Sequence, residues 1–192
     1  LDEGSSKDMI LSLVSLKNEV AVIARAIDHP EVAFLPLSKE EMAVIVAPDH
    51  PLAGKKEVAF EDLSREPVIM KETGSGTRKV VDELFATQGC KPTISMEISN
   101  TEFIKELVQR GEGISFLVKA TVAAELKKGQ LVQAAFKAPA LQLDVSLAYL
   151  KQLSLSPPAK ALVDLLGDLQ SEYMHPRGFG LLMARMLAQR KE

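Results

Sequence analysis

Residues 67–89 have the sequence PVIMKETGSGTRKVVDELFATQG, and this stretch decides the fold class. Its first part, residues 67–70, is a short apolar run typical of a buried strand. Gly74-Ser75-Gly76 follows as a polar, flexible turn. From residue 77 to residue 88 apolar side chains recur at helical spacing, and Gly89 is a typical stop signal. The stretch therefore predicts a strand, a glycine-rich turn and a helix in direct succession.

The same alternation extends in both directions along the chain. Short apolar or alternating runs predict further strands at residues 20–23, 33–35, 43–47, 93–98, 113–118 and 143–150. Helical spacing predicts further helices that begin near Ser5, Asn100, Ala120 and Pro157, and a short amphipathic tail helix over residues 181–189. Because strands alternate with helices, we expect an α/β fold with a largely parallel sheet.

The composition is that of a globular protein without a cysteine framework. The 192 residues include 23 Lys and Arg against 26 Asp and Glu, for a net charge of −3, and 46% are hydrophobic. At about 150 residues per domain, this length allows one large domain or two small lobes. The single cysteine, Cys90, excludes an internal disulfide and a cysteine-based zinc site, and we expect it to be an inert thiol.

Several classes of protein are disfavoured by the same numbers. The longest apolar run, residues 42–48, is far short of the roughly 20 residues that a membrane span needs. The first residues lack the pattern of a secretory signal, so we expect a cytoplasmic protein with no membrane partner. A slightly acidic chain without Trp is poorly suited to grip nucleic acid by itself. A small molecule or another protein is the expected partner.

Three predicted helix starts share a small polar turn. They are Gly4-Ser5-Ser6, Gly74-Ser75-Gly76-Thr77 and Ser99-Asn100-Thr101. A helix N-terminus presents unpaired N–H donors and a partial positive charge, and in open α/β sheets such turns lie at the ligand-binding edge. We therefore expect a small carboxylate or oxyanion to be bound by Ser5, Ser6, Gly74, Ser75, Gly76, Thr77, Asn100 and Thr101. Positive charge could be added by Lys7, Arg25 and Arg78.

The same residues also have a purely structural interpretation. Ser, Thr and Asn cap helices throughout proteins, so any single one of these starts needs no ligand to explain it. An isolated Lys or Arg is usually a solvated surface group. Three such starts in one chain, two of them with an adjacent glycine, shift the balance modestly toward a ligand cleft.

Enzyme signatures fail at the residues where they would be expected. Gly74-x-Gly76 lacks the third glycine of a dinucleotide fingerprint, because Lys79 occupies that position. A nucleophile elbow around Ser75 lacks its first glycine, because Thr73 stands there. The three histidines show no metal-ligand spacing. We therefore expect no catalytic residue, no metal site and no cofactor.

The order of these motifs resembles the effector-binding domain of LysR-type transcriptional regulators. The segments that carry the resemblance are Glu3-Gly4-Ser5-Ser6, Glu19-Val20-Ala21-Val22-Ile23, His50-Pro51-Leu52-Ala53, Gly74-Ser75-Gly76-Thr77-Arg78, Val108-x-x-Gly111-x-Gly113-Ile114-Ser115 and residues 154–160. Together they span residues 3–170. The resemblance implies a two-lobed fold like that of type II periplasmic binding proteins, in which each lobe is a mixed, mostly parallel sheet flanked by helices and the effector binds between the lobes.

The resemblance also implies how the chain is divided. Lobe I would comprise residues 1–55 and 122–192, and lobe II residues 56–121. Such regulators join this domain to an N-terminal DNA-binding helix-turn-helix, and they act on DNA as dimers or tetramers. That part, and the first strand and helix usual for lobe I, have no counterpart in these residues, so we expect them to precede Leu1.

The leading interpretation is a ligand-sensing domain of a bacterial transcription regulator, without catalysis. The alternative is a solute-binding protein of a transporter, which has the same fold; a signal peptide upstream would favour it, and a helix-turn-helix there would exclude it. An enzyme on a similar scaffold is a third interpretation, and the failed nucleophile, metal and nucleotide motifs count against it.

Overall fold

The computed structural model describes residues 2–24, 27–136 and 141–172. Helices and strands alternate over these ranges, which confirms the predicted α/β class. In chain order the elements are α1 (Ser6–Val14), β1 (Val20–Ala24), β2 (Val32–Val46), α2 (Phe60–Leu63), β3 (Pro67–Lys71), α3 (Gly76–Thr87), β4 (Thr93–Ile98), α4 (Thr101–Gln109), β5 (Ser115–Val118), α5 (Ala123–Lys127), β6 (Val132–Gln133), β7 (Gln142–Leu150) and α6 (Pro157–Glu172). The predicted tail helix and Arg25 lie outside the described residues.

Contacts divide the chain into two units, of which the first is discontinuous. Unit 1 is Leu1–Glu40 with Asp144–Glu192, and unit 2 is Glu41–Leu143. We expected the divisions after residues 55 and 121. The two units instead end after residues 40 and 143, because the end of β2 pairs with β5 and β6, which belong to unit 2. The division into lobes at residues 55 and 121 stays a prediction.

Unit 1 is built from α1, the β1–β7 pair and α6. Ile10 and Leu13 on the inner face of α1 are fully buried against the strands. Burial of each such side chain contributes about 1.5–3 kcal/mol. At the start of α6, the Glu19 carboxylate accepts hydrogen bonds from the Ser156 N–H at 2.8 Å and the Ser156 hydroxyl at 2.7 Å. Pro157 then opens the helix, where its missing N–H costs nothing.

Unit 2 contains the predicted strand, glycine-rich turn and helix of residues 67–89. Its strands β3 and β4 are parallel, with α3 following β3 and α4 following β4. Val81 and Phe85 of α3 are buried, as the helical spacing predicts. Ile104 and Val108 of α4 belong to the same unit's core. Each strand therefore ends at a turn that begins a helix.

One glycine in unit 2 is required by close backbone approach. The Ile114 N–H donates to the Pro67 carbonyl at 2.9 Å, and the Ile69 N–H donates to the Ile114 carbonyl at 2.8 Å. Gly113 precedes this bridge with a φ of +151°, and a Cβ on it would lie 2.4 Å from the Pro67 oxygen. Only glycine fits there without displacing β3.

Two expectations about the strands need correction. The runs at residues 33–35 and 43–47 belong to one strand, β2, which continues through the polar residues between them. The expectation of mostly parallel pairing holds for β3 with β4 but not for β1 with β7 or for β2 with β5 and β6, which are antiparallel. Strand direction depends on which distant segment supplies the partner, and local patterning does not encode that. The helix predicted over residues 120–128 is also divided, into a 3₁₀ turn at Lys119–Val122 and α5.

In the part of the chain that the structure describes, no helix combines the length and apolar character needed to cross a membrane.

Candidate functional site

The turn between β3 and α3 leaves its helix start without a side-chain cap. Gly74 has a φ of +96°, a conformation that glycine adopts without strain. Ser75 is the N-cap residue, yet its side chain makes no capping hydrogen bond to the helix. Gly76 and Thr77, the first residues of α3, are buried. Because the first N–H groups of a helix have no partner within it, this start keeps donors that Ser75 does not satisfy.

The start of α4 is capped by its own side chain. Asn100 is the N-cap residue, and its Oδ1 accepts a hydrogen bond from the Phe103 N–H at 3.0 Å. Thr101 is the first helical residue. The Asn100 side chain thus acts as a cap, in agreement with the structural interpretation of this residue.

The parallel pairing of β3 and β4 brings these two turns to one edge of unit 2. In the register of the pair, Lys71 at the end of β3 lies opposite Ile98 at the end of β4. The Lys71 ammonium donates a hydrogen bond to the Ser99 carbonyl, which immediately precedes the cap of α4. Of the predicted site residues, Gly74 to Thr77 and Asn100 with Thr101 are therefore neighbours at one sheet edge.

The third predicted start belongs to unit 1 and is a complete capping box. Ser5 Oγ accepts from the Asp8 N–H at 3.2 Å and donates to Asp8 Oδ2 at 2.7 Å, and the Ser5 N–H donates to Asp8 Oδ2 at 3.1 Å. The hydrogen bonds from the Ser5 side chain and backbone lower the pKa of Asp8. Ser6 is buried as the first residue of α1. The Ser5 hydroxyl is thus engaged by its own helix.

The predicted cations differ in how their charge is used. Arg78 donates through Nε to Asp82 Oδ2 at 2.8 Å and through Nη1 to Glu97 Oε2 at 2.9 Å. Two carboxylates therefore offset its charge, although it lies in the first turn of α3. Lys7 is exposed in the first turn of α1.

Sequence reasoning did not select three residues at the edge of β3 and β4. Glu97 accepts a hydrogen bond from the Thr73 N–H at 3.2 Å, and this bond, followed by the one from Arg78, lowers the pKa of Glu97. Lys71 is half-buried, and burial lowers its pKa. The sequence offered two signals for them. Glu97 is a single acid near the end of an alternating strand, and Lys71 directly follows a buried apolar run.

The remaining candidates are any group that could hold a metal, and the side chains of His50 and Cys90. Within residues 2–24, 27–136 and 141–172, no group of three or more His, Cys, Asp or Glu is arranged to hold a metal. His50 accepts the Leu52 N–H at Nδ1 and faces Glu66 through Nε2 at 3.5 Å, so it stabilises a turn. Cys90 is exposed and unpaired with another cysteine.

Comparison with protein families and curated proteins gives consistent results. The model of the LysR substrate binding domain matches residues 1–171. The uncharacterized HTH-type transcriptional regulator YeiE of Escherichia coli (strain K12) is 31% identical over 164 residues, which cover 85% of this chain and 56% of YeiE. The HTH-type transcriptional activator CmpR of Synechocystis is 31% identical over 166 residues, which cover 86% of this chain and 55% of CmpR. The chain thus spans about half the length of these relatives.

Solved structures show the same fold. The effector binding domain of QuiR in complex with shikimate has a TM-score of 0.81 and 28% identity, and the match covers 90% of this chain and 81% of that one. The regulatory domain of Synechocystis PCC6803 CcmR in complex with 2-PG has a TM-score of 0.78 and 24% identity, covering 88% and 81%. These likenesses confirm the predicted type II periplasmic-binding-protein-like fold. With the family model matched over residues 1–171, the chain belongs to the LysR substrate-binding domain family, the effector-binding domains of LysR-type transcriptional regulators.

Proposed function

We propose that this chain senses a small anionic effector and thereby modulates DNA binding by a longer regulator. The observation that carries the proposal is the start of α3. Its N-cap residue, Ser75, leaves the helix donors unsatisfied beside a glycine that lets a ligand approach the backbone. Family membership supports the same conclusion, since a 28% identical effector domain, that of QuiR, was solved with shikimate, which is a carboxylate.

An anion fits this place for physical reasons. The N-terminus of α3 carries about half a positive charge on donors that point out of the helix. The Ser75 hydroxyl, not used as a cap, can add a directed hydrogen bond. The half-buried ammonium of Lys71 adds positive charge at the same sheet edge. We infer that the effector's charged group is held by backbone donors of Gly76 and Thr77 rather than by a paired arginine.

The other predicted residues have lesser roles in this proposal. Asn100 and Thr101 lie at the same edge, and we propose that the Thr101 hydroxyl contacts the polar part of the effector. The proposed roles of Ser5 and Ser6, in unit 1, rest on the family resemblance. Lys7 and Arg25 stay predictions of the same kind.

Calorimetric titration of the full chain tests the proposal. Shikimate, its uncharged methyl ester, inorganic phosphate and sulfate would be compared as ligands. We expect at least one of the anions to bind and the ester to bind less tightly than shikimate. Combined replacement Ser75→Ala and Thr77→Ala should weaken anion binding, because each lost hydrogen bond costs about 0.5–1.5 kcal/mol.

A matched control lies at the other end of the same helix. Thr87 is exposed, and its hydroxyl donates to the Leu84 carbonyl at 2.7 Å. Thr87→Ala also removes a hydroxyl from α3 but should leave anion affinity unchanged. Full affinity in the Ser75 and Thr77 double variant would refute the site, and tighter binding of the ester than of shikimate would refute an anionic effector.

The wider role of the protein is part of the proposal. We propose a cytoplasmic regulator that self-associates as a dimer or tetramer and reaches DNA through a helix-turn-helix outside these residues. The transporter alternative is not favoured, since the curated relatives are named as transcriptional regulators. Sedimentation of the full-length protein would test self-association, and a monomer at high concentration would contradict it.

A further inference from the structure

The carboxylate of Glu97 joins β4 to the turn that precedes α3. Glu97 Oε1 accepts from the Thr73 N–H at 3.2 Å, and the Thr73 hydroxyl lies 3.4 Å from Oε1 and 3.3 Å from Oε2. Glu97 Oε2 also accepts from Arg78 Nη1 at 2.9 Å. We call Glu97, Thr73 and Arg78 the Glu97 clamp. One side chain on a strand thus contacts both the residue before Gly74 and a residue in the first turn of α3.

The fold explains how one carboxylate reaches both groups. In the parallel register, Glu97 pairs with Met70, so its side chain lies beside the point where β3 ends. Arg78 is mostly buried, and its Nη1 also lies 3.3 Å from the Lys71 carbonyl. The clamp therefore fixes the turn at both of its ends, while the turn residues themselves contribute no side-chain cap to α3.

Fixing this turn matters because backbone donors bind an anion best when they are already oriented. A turn with a positive-φ glycine has many accessible conformations, and ordering it on binding would cost affinity. The lowered pKa of Glu97 shows that its ionised form is stabilised by these contacts. Arg78, which also pairs with Asp82, offsets part of the negative charge of Glu97, and that charge would otherwise oppose an anion nearby more strongly.

We propose that Glu97 is a positioning residue for effector binding: through Thr73 and Arg78 it holds residues 73–77 in the binding conformation without touching the effector. This inference rests on the proposed function, since it assigns an anion to the start of α3. It predicts that the loss of Glu97 loosens the turn and weakens anion binding, while the rest of unit 2 stays folded.

Two variants and a control test the clamp in the full chain. Glu97→Ala removes every acceptor, whereas Glu97→Gln keeps one oxygen for the Thr73 N–H and loses the charge. Glu83→Gln is the control, because Glu83 is an exposed acid on α3 that lies 3.8 Å from the Lys79 ammonium. Measurements would be backbone amide order parameters, the acid titration of the Thr73 amide shift, and affinity for shikimate and inorganic phosphate.

In the unaltered chain we expect order parameters near 0.85 over residues 73–77 and a Thr73 amide shift that titrates with the Glu97 carboxylate. Glu97→Ala should lower these order parameters below about 0.6 and weaken probe binding about three- to tenfold. Glu97→Gln should abolish the titration but recover part of the order and affinity. Glu83→Gln should match the unaltered chain.

Other outcomes would overturn the inference. Unchanged order over residues 73–77 in Glu97→Ala would show that the clamp does not hold the turn. A loosened turn with undiminished affinity would show that positioning has no part in binding. Loss of order throughout β3 and β4 would indicate a merely structural role. Failure of both probes to bind the unaltered chain would contradict the proposed function, and the order parameters and titration would still decide whether Glu97 holds the turn.

Discussion

The ammonium of Lys105 lies 2.8 Å from Glu125 Oε1 in the interior of unit 2. It also donates to the Thr121 carbonyl at 3.2 Å and pairs with Glu102 at 2.8 Å. Only 7% of the Lys105 side chain is exposed. Burial acts to lower the pKa of Lys105, but its hydrogen bonds to Glu102 and Glu125 outweigh burial, so the pKa is raised. The contacts with Glu125 and Thr121 link α4 to α5 and to the 3₁₀ turn before it.

Breaking this pair should destabilise the protein strongly. Lys105→Ala leaves the Glu125 carboxylate buried without its cation, and Glu125 Oε2 already lacks a partner among the described residues. We expect the free energy of unfolding, measured in urea, to fall by roughly 3 kcal/mol. Lys79→Ala, which removes an exposed lysine 3.8 Å from Glu83, should change it by less than about 0.5 kcal/mol. Equal effects of the two variants would contradict the prediction.

Replacement of Gly113 and of Gly54 by alanine should change stability differently, because only Gly113 lies against another backbone segment. Gly113→Ala places a Cβ 2.4 Å from the Pro67 carbonyl oxygen and breaks the backbone bridge to β3, so we expect a loss of about 2–4 kcal/mol. Gly54→Ala adds a Cβ with no heavy atom within 4 Å and should be neutral or gain up to about 1 kcal/mol. Thermal unfolding of both variants measures this, and a benign Gly113→Ala would refute the argument.

Replacement of Ser5 and of Ser75, which both lie at helix starts, should affect different properties: stability for Ser5 and anion binding for Ser75. Ser5→Ala removes both side-chain bonds of the capping box and should cost about 1 kcal/mol of stability. Ser75→Ala removes no capping bond and should leave the midpoint of thermal unfolding unchanged, while weakening anion binding. Ser75→Ala with a lower midpoint and unchanged affinity would show that Ser75 is only a cap.

Acid should lower the stability of the protein through carboxylates whose pKa values are lowered by hydrogen bonds. These include Asp8, bound by the Ser5 side chain, and Glu19, bound by the Ser156 N–H. The unfolded chain binds their protons at higher pH than the folded chain does. Their contribution is therefore complete above about pH 5 and is lost as pH falls through the lowered folded-state values.

Urea unfolding between pH 3 and pH 7 measures this dependence. Asp8→Asn should flatten the acid limb of the curve, because its share of the proton uptake disappears. Glu83→Gln is the matched control, because it also neutralises one exposed acid but removes no capping hydrogen bond. A curve whose stability rises on acidification would contradict the sign.

Local patterning predicted most elements but not every buried position in each helix. Val81 and Phe85 point inward as their spacing predicts, because α3 packs by one stripe. Phe103 of α4 has the same helical spacing as Ile104, Leu107 and Val108, yet it is 49% exposed. The buried positions include Lys105, which patterning assigns to solvent, because two of its partners, Thr121 and Glu125, come from a segment distant in sequence.

The candidate site shows the same limit. Gly74 to Thr77 could be selected from helix-terminus chemistry, which depends only on neighbouring residues. Glu97 could not, because its role depends on the parallel register that places it opposite Met70. Likewise β2 could not be predicted as one strand, because Ser38 to Glu41 has the composition of a turn and the strand continues through it.

The discontinuity of unit 1 sets the order in which the newly made chain can fold. Unit 2 is one continuous segment, Glu41–Leu143. All strands that pair with each other inside this unit have therefore left the ribosome once residue 143 has emerged. In contrast, β1 must wait for β7 to emerge before its Val20 can meet Tyr149. An unpaired strand edge invites wrong partners. During synthesis, a chaperone can therefore bind β1 in the interval before β7 emerges to pair with it.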